Sequence, residues 1–283
     1  MIAVTGASGQ LGRLVIEQLL AKTEPSQLVA LVRTPEKVAD LQQKGVVVRA
    51  ADYAQPDTLL PALQGVKKLL LISSSEVGQR SAQHVNVINA AKQAGVELLA
   101  YTSLLHADTS PLPLRFEHLD TEKAIKESGL PAVILRNGWY TENYAGAAPS
   151  AFEHGAVFGC AGEGKIASAA RADYAAAAAV VLLSADQAGR VYELAGDESY
   201  TLKDFADEIA KQSGKAVEYK NLTQSEYFDL LKNGGLPEPI AAMLSESDNG
   251  AAQGGLFDDS KQLSQLIGRP TTLLTEVLKG FLL

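Results

Sequence analysis

Short aliphatic runs, free of polar alternation, recur down the first half of the chain with amphipathic stretches between them. The runs are Ile2–Thr5, Leu28–Val32, Val46–Ala50, Lys68–Ile72, Leu98–Thr102 and Ala132–Leu135. Strands buried on both faces read this way, because neither face needs polar side chains. The stretches between them, Gln10–Lys22, Glu36–Lys44, Asp57–Gln64, Ser81–Ala94 and Phe116–Ser128, carry a helical pattern. Pro35 and Pro56 stand where a first helical turn tolerates proline, and Gly45, Gly65, Gly95 and Gly129 stand where a helix is capped at its C-terminus. A repeated strand–helix–strand unit of this size predicts an α/β fold, a doubly wound parallel sheet with right-handed crossovers.

After Asn137 the rhythm breaks. Residues 138–166 predict a loop, a short helix and a hairpin. A helix over Arg171–Ser184 and a strand over Val191–Leu194 rejoin the sheet. The stretch 196–270 alternates short helices with one strand near Ala216–Asn221, and Thr271–Leu283 reads as a closing helix. Two domains are expected: a nucleotide-binding one from 1–137 with about 167–195 and 271–283, and a smaller, non-contiguous one from about 138–166 and 196–270.

Composition narrows the class. With 283 residues, 46% of them hydrophobic and only 6% aromatic, the chain suits an aliphatic sheet core. The formal charge of −8 gives no general attraction to nucleic acid or anionic lipid. Cys160 is the single cysteine, which excludes an internal disulfide and a Cys-rich zinc site. Met1 leads straight into Ile2-Ala3-Val4 with no basic region or cleavage site, and the greasiest stretch, Ala175–Leu183, is about half a membrane span. A cytoplasmic protein without membrane insertion is expected.

The first chemical signal is Gly6-Ala7-Ser8-Gly9-Gln10-Leu11-Gly12, directly after the first strand and opening the first helix. Glycines at this spacing allow a tight turn, close approach of a pyrophosphate and close helix–sheet packing, while the helix N-terminus offers free N–H groups to the phosphates. Arg33 ends the second strand, where an NAD site has an acidic residue; an arginine there suits the 2′-phosphate of NADPH. Ligands gather beyond the carboxyl ends of strands in such sheets, so Asp52-Tyr53, Ser73-Ser74-Ser75-Glu76, Ser103 and the run Arg136 to Tyr144 are candidates.

Other patterns point elsewhere. Gly159 to Lys165 matches a phosphate-loop spacing, but Ile166 stands where Mg²⁺ needs a hydroxyl. Ser8 is not in a nucleophile elbow. His84, His106, His118 and His154 have no metal-ligand spacing, so no metal is expected. His118 and Glu122 share a helical face, which reads as a surface pair or, less readily, a catalytic dyad.

On the segments Met1–Arg33, Leu69–Glu76 and Leu135–Tyr144, and on Gly254-Gly255-Leu256-Phe257, the chain resembles the NmrA-like branch of atypical short-chain dehydrogenases/reductases. Within it the likeness is to the bacterial NAD(P)H:quinone oxidoreductases of type 2, with the triphenylmethane reductases as near relatives. The resemblance implies a Rossmann domain plus a small C-terminal substrate domain. It places cofactor contacts on Gly6, Ala7, Ser8, Gly9, Gln10, Leu11, Arg33, Ser73, Ser74, Ser75, Gly138, Trp139, Tyr140, Thr141, Glu142, Asn143 and Arg171. One departure bears on mechanism: many relatives move a proton with Tyr-x-x-x-Lys, but here Leu119 stands four residues before Lys123. A quinone takes its proton from water, so the loss is compatible with quinone reduction.

The expected activity is therefore an NADPH-dependent reductase, with NADH as a second donor, passing hydride directly to quinone-like acceptors without flavin or metal. Asn143 is expected to act catalytically by donating its amide to the acceptor oxygen, with Tyr140 and Tyr144 walling the pocket. The alternative is a redox-sensing regulator of the NmrA type that binds NADP(H) without turnover. The expected partner is a small molecule, bound by a monomer or homodimer.

Overall fold

The computed structural model describes residues 1–282; Leu283, placed by the sequence in the closing helix, lies outside the described residues. The chain forms two compact units. One comprises Met1–Leu104, Phe116–Arg136 and Arg171–Tyr192; the other comprises Leu105–Arg115, Asn137–Ala170 and the chain from Glu193.

The first unit opens with β1 (Ile2–Val4), α1 (Gln10–Leu20), β2 (Leu28–Val32), α2 (Ala39–Gln43), β3 (Val47–Ala50) and α3 (Pro56–Ala62). It continues with β4 (Lys68–Leu71), α4 (Arg80–Ala94), β5 (Leu98–Leu104), α5 (Arg115–Ser128) and β6 (Ala132–Asn137). Then follow α6 (Thr141–Ala145), α7 (Ala148–His154), β7 (Ala156–Gly159), α8 (Arg171–Leu183) and β8 (Val191–Leu194). The C-terminal part holds α9 (Leu202–Ser213), β9 (Glu218–Asn221), α10 (Gln224–Asn233), α11 (Glu238–Ala252), α12 (Gln262–Ile267) and α13 (Leu274–Leu282).

The main sheet is seven-stranded in the order β3-β2-β1-β4-β5-β6-β8, as expected of a Rossmann fold. β1 pairs in parallel with β2 on one side and β4 on the other, Ala3 lying opposite both Val29 and Leu69. Strand order reverses between β1 and β4, which makes their carboxyl ends the natural ligand-binding edge.

Both faces of the sheet are covered, hence the unbroken aliphatic runs. Ala3, Val29, Leu31, Leu69, Leu71, Leu99 and Tyr101 pack against Leu59, Leu63, Val87, Ile88 and Ile125 from α3, α4, α5 and the turn after α3. The alternate residues Val4, Leu28, Ala30, Leu70 and Ala100 are equally buried on the face covered by α1 and α8. Ala175, Ala177, Ala178 and Ala179 are buried in α8, and such small side chains let it lie close to α1.

In the second unit the predicted hairpin does not form. β7 pairs in parallel with β9, Val157 opposite Tyr219, while Ile166 makes an antiparallel bridge to Tyr200. The two glycines that follow β7 differ: Gly162, at φ +54°, shapes the turn that Gly164 N–H closes on Ala161 O at 2.8 Å, whereas Gly164 permits close packing, since a Cβ there would stand 2.3 Å from the Ala251 carbonyl oxygen.

Candidate functional site

The turn from β1 into α1 is shaped by its glycines. Gly6 has φ +57°, a left-handed conformation that a side chain would strain. Ala7 N–H donates to Leu31 O at 3.2 Å, tying the turn to β2, and Gly9 N–H closes it on Gly6 O at 2.9 Å. A Cβ on Gly12 would stand 2.4 Å from Gly6 O, so only glycine lets α1 start this close to the strand. Gly9 caps α1 without a side-chain hydrogen bond, and the first intrahelical bond runs from Arg13 N–H to Gly9 O at 3.0 Å. The N–H groups of Gln10, Leu11 and Gly12 thus come before the helical ladder. An N-terminus without a side-chain cap, over a turn with glycine at both ends, fits an anionic diphosphate.

Beyond β2, Arg33 extends into solvent, its side chain 67% exposed, and its Nη1 donates to Glu76 Oε1 at 3.0 Å. Tyr53, after β3, ties neighbouring strand ends together: its hydroxyl meets Thr5 Oγ1 and the Ile72 carbonyl oxygen.

The segment Ser73–Glu76 is held by a ladder beneath it. Ser73 N–H donates to Thr102 Oγ1 at 2.8 Å, and Ser74 N–H to His84 Nε2 at 2.9 Å. Arg80 Nε donates to the Ser74 carbonyl at 2.6 Å, and Ser74 Oγ donates to Gln83 Oε1. Gln83 Nε2 in turn donates to Glu76 Oε2 at 2.8 Å. To accept from Ser74, His84 must carry its proton on Nδ1, which faces Thr121 Oγ1 at 2.9 Å. Burial and the nearby Arg80 charge hold His84 neutral down to a pKa of about 3.

At the ends of β5 and β6 the expected pairing of His118 with Glu122 is absent, and neither is a surface group. His118 is buried, its Nδ1 2.8 Å from the Tyr101 hydroxyl, and burial with the Arg80 charge lowers its pKa to about 3. Glu122 takes a forked ion pair from Arg136, at 3.0 Å from Nε and 2.8 Å from Nη2, and accepts from Ser103 Oγ. The shared helical face does exist, but α5 lays it on the sheet rather than toward solvent. Lys123 points outward beside Glu127, its side chain 73% exposed, so it does not enter the strand-end chemistry.

Gly138–Tyr144 belongs to the second unit and is fixed there by backbone bonds. Gly138 N–H donates to Leu194 O at 2.7 Å, Thr141 N–H to Ala169 O at 2.9 Å, and Ala169 N–H to Trp139 O at 3.1 Å. Thr141 Oγ1, Ser168 Oγ and the Tyr200 hydroxyl form a chain at 2.8 and 2.7 Å. Trp139, Tyr144, Phe205 and Tyr200 follow one another with tilted or stacked rings, centroids 6.1–6.4 Å apart. Asn143 is exposed on α6, while Tyr140 and Glu142 are half-buried.

Beneath Tyr144 lies a group that the sequence reading missed. Asp248, buried in α11, accepts from the Tyr144 hydroxyl at 2.7 Å and from Cys160 N–H at 3.0 Å. Burial raises its carboxyl pKa, an effect the two donors oppose. Gly159 makes room for it, since a Cβ there would stand 2.7 Å from Asp248 Oδ2. No local pattern marks Asp248, which sits in an ordinary mixed helix; its partners are about a hundred residues away.

Of the expected contacts, Gly6, Ala7, Ser8, Gly9, Gln10, Leu11, Arg33, Ser73, Ser74, Ser75 and Arg171 lie in the first unit. The first ten stand at the carboxyl ends of β1, β2 and β4, and Arg171 opens α8. Gly138, Trp139, Tyr140, Thr141, Glu142, Asn143 and Tyr144 lie in the second. Among the described residues, no group of three or more His, Cys, Asp or Glu side chains is arranged to hold a metal ion, and no helix is long and apolar enough to cross a membrane.

Residues 6–184 match the NAD(P)H-binding family. Quinone oxidoreductase 2 of Escherichia coli (strain K12) is 60% identical over 276 residues, covering 98% of this chain and 96% of that one. The crystal structure of the NADPH-dependent quinone oxidoreductase from Escherichia coli complexed with NADPH superposes with a TM-score of 0.97 over 99% of both chains, at 60% identity. Triphenylmethane reductase from Citrobacter sp., complexed with NADP(H), gives a TM-score of 0.95 at 38% identity over 99% of this chain and 100% of that one. The glycine turn, the arginine closing β2 and these end-to-end matches agree: the chain belongs to the NAD(P)H-binding family, in the branch that holds quinone oxidoreductase 2.

Proposed function

We propose that this protein is an NADPH-dependent reductase of quinone-like acceptors. The observation that carries the reading is the full-length match to quinone oxidoreductase 2, on a chain whose turn into α1 keeps Gly6, Gly9 and Gly12 and has no side-chain cap. NADPH, when bound, supplies the hydride that reduces the acceptor.

The roles of the chain's own residues follow from chemistry. The turn Gly6–Leu11 holds the diphosphate through backbone N–H groups, and Arg33 takes the 2′-phosphate through charge-assisted hydrogen bonds. Ser73, Ser74 and Ser75, on their anchored segment, present polar groups to the ribose and nicotinamide side, and Arg171 adds a cationic contact. Gly138, Trp139, Thr141 and Glu142 border the cofactor. Asn143 donates its amide to the acceptor oxygen as negative charge develops there, and Tyr140 and Tyr144 offer aromatic surface to a planar acceptor. With Lys123 on the outer face of α5 and Leu119 in place of a tyrosine, no side-chain relay of the usual kind feeds the acceptor. The product's proton then comes from water, which a quinone permits. In this reading the protein works as a cytoplasmic monomer or homodimer.

Protein freed of flavin, mixed with NADPH and a panel of quinones and cationic dyes, tests the reading through loss of nicotinamide absorbance. Turnover with quinones supports it. Tight NADPH binding with no turnover on any acceptor would replace it with the sensing role.

A further inference from the structure

We propose that Glu76 sets the preference between NADPH and NADH by competing with the adenosine 2′-phosphate for Arg33. The inference rests on the reading of Arg33 as the 2′-phosphate contact and names a residue that opposes it.

Glu76 is not an arbitrary surface carboxylate that happens to lie near an arginine. Its Oε1 accepts from Arg33 Nη1 at 3.0 Å, and its Oε2 accepts from Gln83 Nε2 at 2.8 Å. Its own N–H donates to Ser74 Oγ at 3.1 Å. Ser74 is gripped in turn by His84, Gln83 and Arg80, all of them buried in α4. One end of the carboxylate is therefore anchored to the protein interior, and the other is held against the guanidinium.

A phosphate arriving at Arg33 meets this fixed negative charge within hydrogen-bond reach of the same guanidinium. Arg33 has donors enough for two anions, but bringing a dianion beside a carboxylate costs Coulomb energy, and displacing the carboxylate costs the existing pair. The 2′-hydroxyl of NADH carries no charge and meets no such opposition; it can donate to the carboxylate. Because the pair is solvent-exposed it is weak enough to yield, so Glu76 lowers NADPH affinity without abolishing it. The acidic group that an NAD site carries at the end of β2 is here delivered from the segment after β4, opposite an arginine.

Calorimetric titration of NADPH and NADH into wild type, Glu76→Gln, Arg33→Ala and the double variant tests the proposal. Glu76→Gln should tighten NADPH by about tenfold while NADH changes by less than about twofold. In the Arg33→Ala background most of that gain should disappear, since the contested group is gone. Glu76→Ala, which also frees Gln83, should move NADPH affinity in the same direction. Retained NADH binding reports an intact site in each variant. Unchanged or weaker NADPH binding by Glu76→Gln, with Arg33→Ala still losing NADPH selectively, overturns the competition and leaves the 2′-phosphate reading standing. Equal tightening of both cofactors, or opposite effects of the two Glu76 variants, also overturns it. Equal loss of both cofactors in Arg33→Ala overturns both readings.

Discussion

The hydroxyl of Tyr144 donates to Asp248 Oδ1 at 2.7 Å, joining α6 to a carboxylate buried in α11. The bond fixes the end of the segment that carries Asn143, and it leaves the ring of Tyr144, rather than its hydroxyl, as the part available to other groups. Tyr144→Phe removes a hydroxyl donor from a buried carboxylate and leaves it the Cys160 N–H, a loss on the order of 1–3 kcal/mol. Urea unfolding should show a lower midpoint with an unchanged slope; an unaltered midpoint would mean that the bond contributes nothing net.

The glycines of the cradle should separate by role. Gly12→Ala forces a Cβ to 2.4 Å from Gly6 O and should destabilise the fold by about 1–3 kcal/mol. Gly9 is exposed, and its Cβ would come no closer than 3.2 Å to that oxygen, so Gly9→Val should keep a native far-UV spectrum. NADPH binding should nevertheless vanish in Gly9→Val, because the side chain stands where the diphosphate must approach. Retained micromolar binding in calorimetry would refute the assigned cradle.

Asn143→Ala should lower kcat by about 10²–10³ while NADPH affinity stays within a few-fold, as for loss of one donor to a developing oxyanion. Its exposure on α6 makes a large folding defect unexpected. Steady-state kinetics with a quinone, beside direct NADPH titration, read the two effects apart. Near wild-type turnover excludes the catalytic role, and a parallel fall in NADPH affinity moves Asn143 into the cofactor site.

Stability should fall on acidification through the histidine range. His84 and His118 hold neutral rings with pKa values near 3, against an ordinary 6.5. Below 6.5 the unfolded chain takes up protons on them that the folded protein refuses until about 3. Their contribution is thus present in full above 6.5 and is lost as pH falls toward 3. Each adds at most about 1.4 kcal/mol per pH unit to the slope. Urea midpoints measured from neutral pH into this window should fall less steeply for His118→Gln than for wild type; parallel curves would show that His118 is not the group that titrates.

Much of the first unit is legible in the sequence because its causes are local. The aliphatic runs become β1 to β6 within two residues at either end, since a strand covered on both faces needs only a short apolar stretch and a turn. The glycine turn is equally local: Gly9 and Gly12 both pack close to Gly6 O, so their spacing carries the geometry. Even β8, after a long interruption, lies at Val191–Leu194 as its composition predicts.

Tertiary structure alone decided which side chains meet. His118 and Glu122 share a helical face in either state, but only the docking of α5 on β5 sends one to Tyr101 and the other to Ser103 and Arg136. β7 finds β9 rather than a hairpin partner, and Asp248 finds Tyr144 across 104 positions of chain. Arg33 and Glu76 are 43 apart and meet because the ends of β2 and β4 lie on either side of β1. Periodicity records which face of an element is buried; it holds no record of what the other element brings to that face.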